Sequence, residues 1–387
     1  MAASSMLLAG CWPAVGQGPD RQAHNPFESQ ITPATVATLE QAWTASLGDG
    51  AAASPVVSGP NVVVGDGVTV YGMEAATGTR RWIRTTEWPG IAGLSVGVAA
   101  GGRVLVTEGT TGGGGTWYTD WVDASTGVSV ESIRGGIVDS ARGSWILQRN
   151  PGAVIAGEWD GFQVTDLATG ARGGTAYLGS SYRFPMTLGT ERAYHANEAT
   201  IAAYTAREDC GPTESCLVWA TSLAGQVTGP PVLASDESTV YVGSSAGSLY
   251  ALDAANGDVL WTAELGGAPT AEPALADGTL FVPTAGSGGD RLVAVAAAGC
   301  GSPTCVASWT APVGGRGRQP AVAGGVVFVG TDGGTVDAVV AAGCGAATCP
   351  AVWSADVGAA VTGAPAVSGG RLFVGTGDGR LLAYAPS

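Results

Sequence analysis

Seven cysteines, two histidines and 32 acidic residues are the side chains from which chemistry could be built in this 387-residue sequence. Six of the cysteines come as close pairs, Cys210/Cys216, Cys300/Cys305 and Cys344/Cys349, and Cys11 stands alone near the start. Two cysteines flanking a short loop can either close a disulfide or supply two of the four ligands that zinc normally needs. The pairs fall on different repeat units, and only His24 and His195 could complete a zinc set. Disulfides are therefore the reading adopted, no metal site is expected, and the environment implied is oxidising and exported. Because the loops are short, each bridge contributes only about 2 kcal/mol through chain entropy. On this reading the bridges stiffen turns rather than hold the fold together.

Hydrolysis by paired carboxylates needs a raised-pKa acid beside a base or nucleophile. Glu158/Asp160 and Glu272/Asp277 have suitable spacing, but acidic residues are common in turns and are expected here as solvated loop carboxylates. Serine–histidine chemistry would have to use His24, in a flexible lead-in, or His195, within the strand-like Arg192-Ala-Tyr-His-Ala-Asn197. No G-x-S-x-G elbow accompanies either, so no catalytic residue is assigned. The net charge is −15 and all 17 basic residues are arginine. An acidic chain without basic clusters is a poor binder of nucleic acid or anionic headgroups.

The elements that would position these residues are hairpins. Leu249-Tyr-Ala-Leu-Asp-Ala-Ala-Asn-Gly-Asp-Val-Leu-Trp261 reads as a strand, a tight turn at Asn256-Gly257 and a second strand. The phrase recurs. Gly78 precedes Trp82, and Trp219, Trp309 and Trp353 follow the cysteine-bearing turns. Degenerate rungs end at Glu131 and Gly174, and Trp43 lies on an equivalent strand, so successive steps are 39, 49, 43, 45, 42, 48 and 44 residues. A period near 44 is that of a four-stranded propeller blade. The eighth unit stops after three strands, and Gln41–Leu47 around Trp43 is the missing fourth. The expected fold is all-β: a single eight-bladed propeller of four-stranded antiparallel blades over residues 40–387, its last blade closed by the N-terminal strand. Trp43, Trp82, Trp219, Trp261, Trp309 and Trp353 are expected to dock one blade on the next.

Residues 1–11 resemble the end of a signal peptide, and Leu8-Ala9-Gly10-Cys11 resembles a bacterial lipobox, which makes Cys11 a lipidation candidate. Residues 12–39 form an extended lead-in, with a short helix opened by Thr32 as N-cap and Pro33 at its first position. No stretch has transmembrane length. The protein is thus expected to be exported, lipid-anchored to the cell membrane, or at the cell surface or in the periplasm.

The pattern Ala-Leu-Asp-Ala-x-x-Gly-x-x-x-Trp at 251–261 is similar to the tryptophan-docking repeat of PQQ-like (quinoprotein-like) β-propellers. Trp12-Pro13, Asn25-Pro26, Ile31-Thr-Pro33 and Val36-x-x-Leu39-x-x-x-Trp43 also resemble the opening of that family, and the overall likeness is to BamB-like exported lipoproteins. The resemblance implies a propeller scaffold binding envelope proteins. It also raises a quinone-dependent dehydrogenase acting in the central funnel. Those enzymes carry a vicinal Cys-Cys pair, a Ca²⁺ site and a catalytic Asp. This chain has no Cys-Cys and no Cys-x-x-Cys-His haem motif, and none of the Ca²⁺ ligands of those enzymes maps onto it. No cofactor is expected, and the chain is read as a non-catalytic monomer.

Five tryptophans, Trp88, Trp117, Trp121, Trp145 and Trp159, lie outside both the ladder and the lead-in, all where the repeat is least regular. With Tyr118 and the Gly112–Gly115 run beside them, they either fill gaps left by lost repeat packing or form a face for a protein, glycan or small molecule.

Overall fold

Runs of valine, leucine and alanine between glycine-rich turns produce short strands throughout the chain. In the computed structural model the described residues are 11–12, 18–48, 50–85, 95–100, 102–109, 117–134, 137–142, 145–150, 161–166, 169, 172–177, 184–207, 210 and 216–387. Among them the only helical element is a 3-10 turn, Val36–Thr38. The helix expected from Thr32 is reduced to this turn. Thr32 offers its carbonyl to the amides of Thr35 and Val36, and the chain is already extended at Leu39. No helix of the described residues is long and apolar enough to cross a membrane.

Among the described residues the strands form eight sheets, antiparallel except where His24–Asn25 and Thr304–Cys305 are added in parallel. Sheet 1 comprises Val56–Ser58, Asn61–Gly65, Thr69–Glu74 and Arg80–Thr85. Sheets 2 and 3 span Ser95–Arg134 and Ile137–Tyr177, and sheet 4 spans Thr187–Ser222. Sheet 5 runs from Val232 to Glu264, sheet 6 from Ala268 to Pro312, and sheet 7 from Ala321 to Asp356. Sheet 8 takes Ala366–Ser368, Arg371–Gly375 and Arg380–Pro386, and its outer strand is Leu39–Ser46, paired so that Trp43 faces Ala383 and Ser46 faces Arg380. This succession of four-stranded sheets is the arrangement of a β-propeller.

Burial follows position in each sheet. The innermost strands, such as Val56–Ser58, Ala321–Ala323 and Ala366–Ser368, are buried at every residue because neighbouring sheets press on both faces. Innermost strands touch in sequence, sheet 6 against 7, 7 against 8, and 8 against 1. The outer strands of sheets 1 and 4 bury only the tryptophan of their six residues, and that of sheet 5 buries Trp261 and Ala263. A strand at the rim has one neighbour and one packed face.

The lead-in is not a flexible tail. Cys11–Trp12 pairs with Val56–Ser58 on the inner edge of sheet 1, with Trp12 fully buried. His24–Asn25 pairs in parallel with Ala321–Ala323 on the inner edge of sheet 7. Between these points the carbonyls of Pro19, Asp20, Gln22 and Ala23 accept the amides of Leu188, Leu233, Leu275 and Val322 in sheets 4, 5, 6 and 7. Asn25 donates to the Val367 carbonyl in sheet 8. These partners occupy matching places on successive innermost strands, so one extended segment strides across five sheets at roughly one residue per sheet. Positive φ at Arg21 (60°) and Ala23 (54°) turns successive carbonyls toward successive sheets.

Candidate functional site

The six ladder tryptophans lie at the seams between sheets. Trp82, Trp219, Trp261 and Trp309 are buried, and Trp43 and Trp353 half-buried. Each ring of the first five covers a turn glycine in the following sheet: Trp43 over Gly78, Trp82 over Gly127, Trp219 over Gly257, Trp261 over Gly299 and Trp309 over Gly343. A Cβ at these glycines would stand 2.5–2.6 Å from the ring, so the contact requires glycine. All five also have positive φ, between 70° and 78°. Three indoles then donate to a carbonyl three residues before the glycine: Trp43 to Ala75 at 3.1 Å, Trp82 to Ala124 at 3.0 Å and Trp219 to Ala254 at 3.1 Å. Trp353 donates to Leu39 at 3.0 Å, where the outer strand of sheet 8 begins.

In the sequence these glycines belong only to their own hairpins. In the folded chain each also receives the ring of the sheet before. An aromatic on the second strand also leans on the tryptophan of its own sheet, as Tyr194 does on Trp219, Tyr241 on Trp261 and Phe281 on Trp309, with centroids 5.9–6.2 Å apart. The signal was present as Ala-Tyr-His, Val-Tyr-Val and Leu-Phe-Val in matching positions.

All three cysteine pairs, Cys210–Cys216, Cys300–Cys305 and Cys344–Cys349, are disulfides, with Cα separations of 5.5, 5.7 and 5.6 Å. The expectation that they only stiffen turns is corrected in two ways. Cys216 is a core residue as well as one end of a bridge. It is buried in the cluster that includes Leu147 and Phe162 of sheet 3 and Tyr204 of sheet 4, and its carbonyl accepts the Thr205 amide at 2.9 Å. A cysteine in a disulfide has no polar S–H to satisfy and packs as a small apolar group, which suits it to this seam. The other two bridges serve a neighbouring sheet. Thr304–Cys305 lies parallel to Thr262–Ala263 and adds a fifth strand to the outer edge of sheet 5. Likewise Thr348 bridges Thr310, on the outer edge of sheet 6.

The catalytic alternatives separate in space. Glu272 and Asp277 lie at opposite ends of the strand Ala274–Ala276, and Glu272 is held by the buried Arg21 at 3.0 Å. Asp277 instead sits near His24, whose pKa is lowered by burial while the Asp277 charge opposes that shift. His24 belongs to an inner-edge strand, which corrects the expected flexible setting. His195 is buried opposite Ala202. Its neighbours Tyr194 and Tyr204 are both pushed up to about 12 by burial, as expected of structural phenols. No group of three His, Cys, Asp or Glu arranged to hold a metal occurs among the described residues. Glu158 and Asp160 lie outside them.

The aromatic face is only partly visible. Trp88 and Trp159 lie outside the described residues, and Trp117, Tyr118 and Trp145 are described only as members of strands. Trp121 is half-buried in sheet 2, opposite Glu131. Next to it the buried Asp120 accepts from Arg84 of sheet 1 and from Ser129 at 2.8 Å. Burial works to raise the Asp120 pKa, but hydrogen bonds from Ser132, Ser129 and Arg84, with the Arg84 charge, hold it below the usual carboxylate range.

Residues 198–299 and 306–387 match the family model described as outer membrane protein assembly factor BamB. These two segments thus carry PQQ-like repeats, and the chain resembles the PQQ-like β-propeller family. Among solved structures, the chain is similar to BamB from Moraxella catarrhalis (17% identity, 90% of this chain and 99% of that one, TM-score 0.62). It is also similar to the quinohemoprotein alcohol dehydrogenase from Comamonas testosteroni (16%, 97% and 80%, TM-score 0.69) and to a europium-containing methanol dehydrogenase (15%, 97% and 98%, TM-score 0.67). At these identities the likeness is one of fold. No curated protein sequence matches the chain.

Proposed function

We propose that this PQQ-like propeller is a non-catalytic, exported scaffold that binds protein partners in the bacterial cell envelope. Its eight sheets form one closed ring, each of the six ladder tryptophans docks its own blade on the next, and Cys11 is the site of a lipid anchor. The observation that carries the scaffold reading is the lead-in. It lies along the inner edges of sheets 4 to 7 with the chain's own backbone, reaches sheet 8 through the Asn25 side chain, and engages Glu272 through Arg21. A carboxylate fixed by an ion pair of this kind suits a frame rather than a proton-transfer site. Three disulfides support an oxidising compartment.

The second reading is a quinone-dependent dehydrogenase. It is favoured by the likeness of 97% of the chain to two dehydrogenases. Crosslinking in intact envelopes, followed by mass spectrometry, separates the two. The scaffold reading expects one or a few envelope proteins joined reproducibly to the propeller and not to an unrelated exported control. Saturable titration with pyrroloquinoline quinone and Ca²⁺, with dye-linked oxidation of an alcohol, would overturn it.

A further inference from the structure

We infer that the Cys300–Cys305 and Cys344–Cys349 loops are thiol-reducible covers over the outer strand edges of sheets 5 and 6, a redox-sensitive device independent of the scaffold reading.

A rim strand presents unpaired amides and carbonyls that invite another strand, and proteins cover such edges. Here the cover comes from the next sheet. The Pro303 carbonyl accepts the Thr262 amide at 2.9 Å, and Thr304–Cys305 runs parallel to Thr262–Ala263. One sheet further, the Ala347 carbonyl accepts the Thr310 amide at 2.9 Å, and the Cys349 amide returns to the Thr310 carbonyl at 2.8 Å. The two loops place the same contact one residue beyond Trp261 and Trp309. By contrast, the short Asn256-Gly257 turn of sheet 5 meets the rim of sheet 4 through the Thr221 hydroxyl, which donates to the Gly257 carbonyl at 2.7 Å.

Each loop is held at two points. On its near arm, Gly299 or Gly343 lies under the tryptophan of the sheet before. On its far arm, the disulfide pulls Cys305 or Cys349 back against the hairpin so that the residues around it can lie along the rim. The far cysteines are buried, at 3% and 1% exposure, whereas Cys300 and Cys344 are exposed. An external dithiol therefore meets the Cys300 or Cys344 sulfur first. Its thiolate attacks that sulfur, the S–S bond breaks, and the electron pair leaves on Cys305 or Cys349. The reductant's second thiolate then closes its own disulfide and releases the remaining cysteine. Two protons pass to the protein sulfurs, and the dithiol is oxidised by two electrons. The glycine-on-tryptophan contact survives this step, so the far arm peels away while the seam stays packed.

Amide hydrogen exchange on the intact protein, with and without dithiothreitol, tests the device. Reduction is expected to speed exchange at Thr262, Thr310 and Cys349 by at least about ten-fold, with Tyr250 and Leu252 in the middle of sheet 5 unchanged. The double variant Cys300→Ser/Cys305→Ser is expected to speed Thr262 alone, without reductant. Unchanged exchange at Thr262 and Thr310 in the fully reduced wild type overturns the inference. So does a uniform rise across sheets 5 and 6, which would make the bridges supports of the whole fold.

Discussion

Sheets 5 to 8 and sheet 2 meet the same requirement, a tight seam with the next sheet, using different parts. In sheet 5 an Asp253 carboxylate caps the turn, Gly257 bends it, and Trp261 reaches on to Gly299. Sheet 2 keeps the receiving half of that device. Asp123 caps the turn through Ser125 and Thr126, and Gly127 takes the Trp82 ring. The giving half is gone, for an exposed Glu131 stands where the tryptophan would be. On the other side of sheet 2, where Trp82 still docks on Gly127, a polar contact is added to the seam, with Arg84 of sheet 1 spanning to Asp120 and Ser129. The two halves of the docking device are thus separable, and losing one leaves room for another kind of residue.

The largest effect should come from removing a ring where both halves are present. Trp261→Ala deletes a buried indole between two sheets, and a loss of about 3–5 kcal/mol is expected. Urea denaturation gives the midpoint shift. Trp121→Ala, from the half-buried position in sheet 2, should cost well under half as much. Equal losses would mean that sheet 2 packs as tightly as sheet 5 and would dissolve the contrast.

The glycine side of the seam sharpens the point. Gly257→Ala puts a Cβ 2.5 Å from the Trp219 ring at φ 78°, and Gly127→Ala puts one 2.6 Å from Trp82 at φ 73°. Both should lose about 2–4 kcal/mol, from overpacking plus left-handed strain. If Gly127→Ala is neutral while Gly257→Ala is costly, the receiving half has also decayed in sheet 2.

The polar contact beside Trp82 at the seam of sheets 1 and 2 should depend on pH where the indole contacts do not. Asp120 has a folded pKa below its unfolded value of about 3.9. Its contribution is therefore present above that unfolded value and is lost as pH falls through the folded one. The melting temperature of Asp120→Asn should lie below wild type at pH 7, and the gap should close as pH falls below about 4. A gap that stays constant to pH 3 would show that the carboxylate charge carries none of the contact.

The regular half of this fold was legible because its signals are local. Alternation, the Asn256-Gly257 turn and the recurring tryptophan all fall within a dozen residues, and so do the cysteine pairs. What stayed hidden is long-range. Nothing near Gly127 announces that Trp82 needs it, because the requirement comes from the sheet before. Cys216 read as a turn residue for the same reason, since Leu147 and Phe162 of its buried cluster belong to sheet 3. The lead-in looked irregular because its regularity is one residue per sheet, a period set by the succession of sheets and not by its own strand. His24 therefore read as flexible, and the other cysteine loops read as turns when they also serve a neighbour's edge. Glu272 and Asp277 looked like a pair because they are close in sequence, yet an intervening extended strand parts them.

The smallest expected effect concerns the seam of sheets 7 and 8, where the two ends of the chain meet. Here the receiving group belongs to no hairpin. Trp353 donates to the Leu39 carbonyl, at the head of the strand that completes sheet 8, and packs edge-on against Tyr384 at 5.2 Å. Trp353→Phe keeps an aromatic in the seam and deletes the indole N–H, so a loss of about 1 kcal/mol is expected. The same substitution at Trp219, whose indole donates to Ala254 within a continuous hairpin, provides the reference. If the ends are held as firmly as an ordinary seam, the two losses agree within about 0.5 kcal/mol. A much larger loss at Trp353, with faster exchange along Leu39–Ser46, would identify this junction as the place where the sheets part first.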